Sequence, residues 1–267
     1  MITRYRAAMN GVQLDSLDDR IIITDIIEDA PSESVTTNER PSGGSYLTAV
    51  STQSITVRIA VELHSPSVST RQGLFTTVCR WGMGGGYLNI SGKPYERIHI
   101  DKMTLPTLDS LKWTEALEFQ LTAYSCPWWE DIDAQTVTGN TARYSDAWFT
   151  NYGHMPMTVD VTATVATGTM TGIILASGYL QDGTSVKEHT MTFTGLTVAA
   201  GESFTISHDS DGILHIEAAG ISVLDKRSAS SADDLIIPVD SLQRFVTCDA
   251  GDGVTATLSV SYRRRYY

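Results

Sequence analysis

The clearest pattern along the chain is an alternation in which Ile55, Val57, Ile59, Val61 and Leu63 take every second position, with Thr56, Arg58, Ala60 and Glu62 between them. A period of two puts the five apolar side chains on one face of a strand and predicts a sheet with one side buried. A denser run, Arg20-Ile21-Ile22-Ile23-Thr24-Asp25-Ile26-Ile27, is rich in β-branched residues and bounded by Asp18-Asp19 and Glu28-Asp29. It predicts a second buried strand. Between the two, residues 31–50 carry so much Ser, Thr, Gly and Pro that a long loop or an extended hairpin arm is expected, and loops of such length in compact domains are usually functional.

The period then changes. Leu74, Phe75 and Val78, with Arg71 before them, recur at helical spacing as far as Gly82, and Ser69 and Gln72 are spaced as a helix cap and its returning partner. A single helix of about three turns is expected there. Gly82, Gly84, Gly85 and Gly86 follow it, but a phosphate loop precedes its helix and needs a Lys and a Ser or Thr that this run lacks, so the glycines predict a turn. Tyr87-Leu88-Asn89-Ile90 follows the turn, and strands are expected again at Tyr95–Ile100 and Trp113–Tyr124. In the last, Glu115 intrudes on the apolar side and reads as a strand-edge or interface residue rather than a catalytic acid.

From Cys126-Pro127 to about Ser145 the alternation breaks, and beyond it Met157, Val159, Val161, Ala163 and Val165 form one face opposite Thr158, Asp160, Thr162 and Thr164. Further short strands are expected at 171–175, 188–194, 203–207, 213–218, 221–224 and 255–262. The turns Asp182-Gly183, Asp211-Gly212 and Asp252-Gly253 separate some of them, the first and third suited to tight hairpins. Such spacing indicates a β-sandwich. The organisation expected is therefore mainly β: an N-terminal domain over 1–133 with one helix, a linker at 134–145, and a C-terminal sandwich over 146–267.

Composition narrows the function classes. With 267 residues and 42% apolar content the chain has material for two modest cores, and no stretch approaches the roughly 20 apolar residues of a membrane span. The basic start gives way to Asn10-Gly11 before a signal core can form, so no secretion signal is expected, and Asn89-Ile90-Ser91 is then no glycosylation site in practice. Cys79, Cys126 and Cys248 show no paired spacing and read as buried thiols in a reducing compartment. A net charge of −12 argues against general nucleic-acid binding, and Arg263-Arg264-Arg265 reads as a solvated tail. An acidic wall does suit a conduit through which nucleic acid slides without sticking.

No constellation of catalytic residues stands out. The histidines at 64, 99, 154, 189, 208 and 215 are scattered, there is no Gly-x-Ser-x-Gly elbow, and His208-Asp209-Ser210-Asp211 lacks the calcium-loop pattern and reads as a solvated turn. No catalytic, cofactor or metal residue is assigned. The aromatics Trp128, Trp129, Trp148, Phe149 and Tyr152 flank the expected boundary and fit an inter-domain contact, an interface, or a platform for sugars.

These segments, in order, resemble the distal tail proteins of long-tailed bacteriophages and prophages. The resemblance rests on Asn10-Gly11 with Asp18-Asp19-Arg20 and the strand after them, Arg40-Pro41-Ser42-Gly43-Gly44-Ser45 ahead of the alternating strand, Pro94–Ile100, and Ala200-Gly201-Glu202-Ser203-Phe204-Thr205-Ile206 leading to Gly212. It implies a non-enzymatic hub of the virion tail, made in the host cytoplasm. The N-terminal domain would form a hexameric ring between tail tube protein and tail-tip protein, with DNA passing through and no membrane involved. A galectin-like sandwich would lie outside. Arg40, Pro41, Gly43, Gly44 and Tyr46 would belong to the assembly arm. The alternative is a carbohydrate-binding accessory protein that touches the host wall through its C-terminal sandwich, although Trp148 is followed by Phe149-Thr150-Asn151 rather than by a galectin's acid and base.

Overall fold

The computed structural model describes residues 5–29, 33–39, 45–52, 54–106, 116–209 and 212–266, with 33–39 and 45–52 described as backbone. Two compact units divide the chain, Met1–Glu130 with Tyr267, and Asp131–Tyr266. Among the described residues the architecture is mainly β with one α-helix.

In the first unit, Ile55–Leu63 is the centre of a four-stranded sheet in the order Ile21–Glu28, Ile55–Leu63, Ala116–Ala123, Lys102–Thr104. All five alternating apolar residues of Ile55–Leu63 are fully buried, and Leu117, Phe119, Leu121 and Ala123 alternate likewise on the neighbouring strand. Both of these strands are interior to the sheet, so its edges are Ile21–Glu28 and Lys102–Thr104. Trp113 and Glu115 lie outside the described residues. A second sheet runs Val12–Gln13, Ala7–Met9, Gly86–Ile90, Lys93–Ile100, Trp129–Asp131.

The helix spans Val68–Gly82 and starts earlier than its spacing implied, because Ser67 rather than Ser69 is the cap: its side chain accepts from the Thr70 amide at 3.5 Å. Pro66 just ahead disfavours helical geometry before that point, and Ser67 itself is extended, as a cap must be. The helix turns Leu74, Phe75, Val78 and Trp81 inward. The Trp81 ring meets Phe119 edge-on at 6.2 Å while its Nε1 donates to the Val12 carbonyl at 2.7 Å, which ties the helix to both sheets.

Of the glycine run expected to be a turn, Gly84 and Gly85 lie in it, while Gly82 ends the helix and Gly86 opens the strand Gly86–Ile90. Asn10 and Gly11, at φ 52° and 81°, close a two-residue hairpin between Met9 and Val12. The Asn10 side chain donates to the Gly85 carbonyl at 3.1 Å and accepts from the Tyr87 amide at 2.9 Å. Gly86, at φ 115°, leaves no room for a Cβ beside the Asn10 side chain.

The second unit is a sandwich. Its seven-stranded sheet runs Gln135–Ala142, Thr255–Tyr262, Met157–Thr167, Ser203–His208, Leu214–Ala218, Ile221–Ser222, with Ile236–Ile237 added to Met157–Thr167. A four-stranded sheet runs Tyr144–Phe149, Arg244–Asp249, Thr169–Gln181, Thr184–Ala199. The inward faces of the two sheets share one core that includes Val161, Ala163, Phe204 and Leu258 from the first and Leu175, Phe193, Val246 and Cys248 from the second. Two sequence expectations change here. Residues 134–145 are not an irregular linker, since Gln135–Ala142 is an edge strand paired to Thr255–Tyr262; its inner face is only half-buried and sets a single large apolar residue, Val137, against the core, so no apolar alternation betrays it. Asp182-Gly183 is a tight hairpin, but Asp252-Gly253 leads from one sheet to the other, because Arg244–Asp249 and Thr255–Tyr262 belong to different sheets.

Candidate functional site

The segment expected to be a loop or arm is a β-ribbon. Glu33–Glu39 and Ser45–Thr52 pair antiparallel, with Glu33 opposite Thr52, Val35 opposite Val50 and Tyr46 opposite Asn38. The partner numbers at the base of this ribbon add up to the same 85 as Glu28 opposite Val57 in the body of the sheet, and the Asp29 amide donates to the Thr56 carbonyl between them. The ribbon therefore continues the register of Ile21–Glu28 against Ile55–Leu63 until a bulge between Thr36 and Thr37. Only two strands make up this sheet among the described residues. Arg40, Pro41, Gly43 and Gly44 lie outside the described residues, and Tyr46 is placed by its backbone alone.

The five aromatics near the boundary have separate surroundings. Trp129 is fully buried in the first unit, with Lys93 Nζ 4.4 Å from its ring centroid; Lys93 also reaches Glu28 at 3.1 Å, and Glu28 accepts from the indole nitrogen. Trp128 is half-buried. In the second unit Trp148 and Phe149 point to opposite faces of one strand, as neighbours on a strand must. Trp148 packs on Phe245 at 5.1 Å, and Phe149 is buried and stacks on Tyr262 at 4.8 Å. Tyr152 is exposed. The residues on either side of the unit boundary are each tied within their own unit: Glu130 to Arg97 at 2.7 Å, and Asp131 to Arg264 at 2.8 Å and to the Tyr266 hydroxyl at 3.1 Å. Arg263 donates to the carbonyls of Asp131 and Ile132, and Arg265 to the Thr158 hydroxyl. The basic run at 263–265 is thus engaged in the second unit rather than solvated.

His64, His99, His208 and His215 each lie beside a carboxylate. His64 meets Glu62 at 2.9 Å, His99 lies 3.6 Å from Asp101, and His215 meets Asp209 at 3.2 Å. His208 differs from the surface turn expected of it: nearly buried, it sits between Asp160 and Asp234, each 3.0 Å from one ring nitrogen. Burial works against its charge, but hydrogen bonds to the two carboxylates outweigh it and hold the imidazole pKa up at about 9. Asp101 is held below its usual range despite burial because the Ser125 hydroxyl and the Tyr124 and Ser125 amides donate to it. All three cysteines are buried free thiols, and burial pushes Cys248 up to about 12, which makes it unreactive. Among the described residues no group of three or more His, Cys, Asp and Glu is arranged to hold a metal, and no helix is long and apolar enough to cross a membrane.

Sequence reasoning missed the His208 bridge and the Arg244 cluster. Arg244 is buried, pairs with Asp240 and Glu188, and lies 5.1 Å from the centre of the Tyr179 ring. Asp240, four residues before Arg244, was the only local hint.

No family model and no curated protein matches the chain. Solved structures do. The crystal structure of the SPP1 Dit (gp 19.1) protein, described as a paradigm of hub adsorption apparatus in Gram-positive infecting phages, superposes with a TM-score of 0.68 at 10% identity, over 98% of this chain and 99% of that one. A chain of the phage P2 baseplate in its activated conformation with Ca matches at a TM-score of 0.47 and 9% identity, over 99% of this chain and 98% of that one. The corresponding structure with Sr matches at 0.47 and 7% identity, over 98% and 97%. Mainly β, with a single α-helix among the described residues, this chain has the fold of the SPP1 Dit protein along essentially its whole length.

Proposed function

We propose that the chain is a structural, non-enzymatic component of a bacteriophage or prophage tail tip or baseplate, a hub that joins the tail tube to the tip and resides in the virion tail. The observation that carries this reading is the likeness to SPP1 Dit across both units at once, in chain order and nearly end to end. Agreement of one sandwich alone would carry little, because sandwiches serve many functions. In this reading the first unit forms a hexameric ring through which DNA passes, and with 11 Lys and Arg against 15 Asp and Glu over residues 1–130 it has no surplus of cations to hold phosphate in the passage.

The ribbon at 33–52 supports self-association on physical grounds. An isolated two-stranded ribbon is marginal in water, and its outer edges present unpaired backbone groups that a neighbouring subunit can cover. Cyclic closure limits such a contact to a ring. Native mass measurement across a concentration series tests both points, with the full chain alone, with its tube and tip partners, and with residues 34–51 removed so that the Glu33–Thr52 pair closes the ribbon. A closed hexamer that loosens on deletion is expected. A chain that stays monomeric with its partners overturns the ring, and an equally stable hexamer after deletion overturns the role of the ribbon.

A further inference from the structure

The bridge at His208 joins three segments of the second unit that are remote in sequence. His208 ends the strand Ser203–His208, Asp160 lies on the neighbouring strand Met157–Thr167, and Asp234 belongs to the connection that leaves the sheet after Ile221–Ser222. Asp160 Oδ1 accepts from both the His208 amide and Nδ1 at 3.0 Å. Asp234 accepts from Nε2 at 3.0 Å through one oxygen and from the Leu235 amide at 2.7 Å through the other. A neutral imidazole has one N–H and would turn a lone pair towards one of these carboxylates. Only the doubly protonated ring donates at both ends.

The connection held by Asp234 covers a sheet edge. From 227 to 232 it runs beside Thr184–Ala199, the outer strand of the four-stranded sheet. The Ser228 amide donates to the Thr192 carbonyl and the Ala232 amide to the Thr190 carbonyl, both at 2.8 Å. The Thr192 amide in turn donates to Ser231 Oγ at 2.8 Å. Within 224–234 only Ala232 packs against the core, and it is partly buried, whereas Val223 just before and Leu235 and Ile237 just beyond are core residues. The strap is therefore anchored at both ends and has few apolar contacts between them, the properties of a segment that opens locally. The other ion pair at this place, Arg227 with Asp233, is 3.4 Å long and its carboxylate is fully exposed, so it restrains the strap little.

We propose that the Asp160–His208–Asp234 bridge is a charge latch that keeps the strap at 224–234 over the edge of the four-stranded sheet, and that breaking it bares the edge at Thr190–Thr192 without unfolding the sandwich. The charged groups around the imidazole are Asp160 and Asp234; Asp209 on the next residue faces His215, and Arg227 on the strap faces Asp233. The elevated imidazole pKa agrees with this geometry and keeps the latch closed near neutral pH.

Amide hydrogen exchange on the full chain, read by NMR or with peptide resolution, tests the latch in the wild type, His208→Gln and Asp234→Asn. Exchange at Thr192 and across 227–234 is expected to be at least tenfold faster in both variants, with Met157–Thr167 unchanged. The wild type should show the same selective gain between pH 8 and 10 after correction for intrinsic rates, and Asp234→Asn should show it at lower pH. Unchanged strap exchange overturns the proposal, as does a gain shared equally by Met157–Thr167. If His208→Gln proves too unstable to measure, Asp234→Asn and the wild-type pH series decide the question by the same criteria.

Discussion

In the second unit, the outer strand Thr184–Ala199 is covered by residues 227–232, with Ser228, Ser231 and Ala232 bonded to its free backbone groups. In the first unit, the ribbon of Glu33–Glu39 and Ser45–Thr52 has no third strand beside it among the described residues. The charge differs too: residues 1–130 hold 11 Lys and Arg against 15 Asp and Glu, whereas residues 131–267 hold 8 against 16, so the second unit carries −8 of the total −12. One unit covers a vulnerable edge with its own chain and is strongly acidic; the other extends a bare ribbon and is nearer neutrality. The contrast teaches where to look for association, because unpaired backbone at a strand edge invites another chain, while surplus negative charge on the second unit repels its copies.

The largest expected effects test whether the units are energetically separate. Phe119 in the first and Phe204 in the second are both fully buried, so Phe119→Ala and Phe204→Ala should each cost about 3–5 kcal/mol. Each should lower only its own unit's transition in differential scanning calorimetry of the full chain. A single transition that falls equally in both variants would erase the distinction.

A smaller effect follows from Gly178, where a Cβ would fall 2.0 Å from the Val186 carbonyl oxygen and 2.9 Å from Phe245 Cζ. Gly178→Ala should cost about 1–3 kcal/mol of stability in the second unit through overpacking, measured by denaturant titration with Phe245-side contacts monitored through Trp148 fluorescence. A neutral outcome would mean that the hairpin shifts at the bulge between Ser177 and Gly178.

Alkali should separate the units further. The His208 pKa is higher in the folded state than its ordinary 6.5, so its contribution is complete below about 6.5 and is lost as pH rises through about 9. The rise corresponds to roughly 3 kcal/mol before solvent screening at half-exposed Asp160, and roughly 2 kcal/mol is expected. Cys248 acts in the same direction at higher pH, since the fold favours its neutral thiol. In the first unit Asp101 is lowered, so its contribution is present above the usual carboxylate pKa and declines as pH falls. Thermal melts from pH 4 to 10 should therefore show alkaline loss mainly in the second unit, and equal alkaline loss in both would contradict this assignment. At the small end, Ser67→Ala should cost the first unit about 0.5–1 kcal/mol, near the lower limit because the cap bond is 3.5 Å long, and circular dichroism melts would measure it.

Local periodicity was enough to locate Ile55–Leu63, Met157–Val165 and Thr255–Tyr262, because each buries one face and the chain must write apolar residues at every second position to do so. The helix was legible for the same reason at a different period, its start displaced by two residues because Ser67 and Ser69 both have the chemistry of a cap. Gln135–Ala142 and Arg244–Asp249 were not legible. The first has a half-buried face with Val137 as its one large apolar residue, and the second buries Arg244, Phe245, Val246 and Cys248 on both its faces, so in neither do apolar residues recur at every second position. The candidate arm was visible as composition, but its continuation of the sheet register required the pairing itself. The bridge of Asp160, His208 and Asp234, the engagement of Arg264 with Asp131, and the pairing of Trp148 with Phe245 and of Phe149 with Tyr262 are decided by tertiary structure. Sequence by itself determines which faces seek burial, since that depends on neighbours two to four positions away. Which charges meet depends on how sheets order their strands, and that places residues 26 to 133 positions apart within one hydrogen bond.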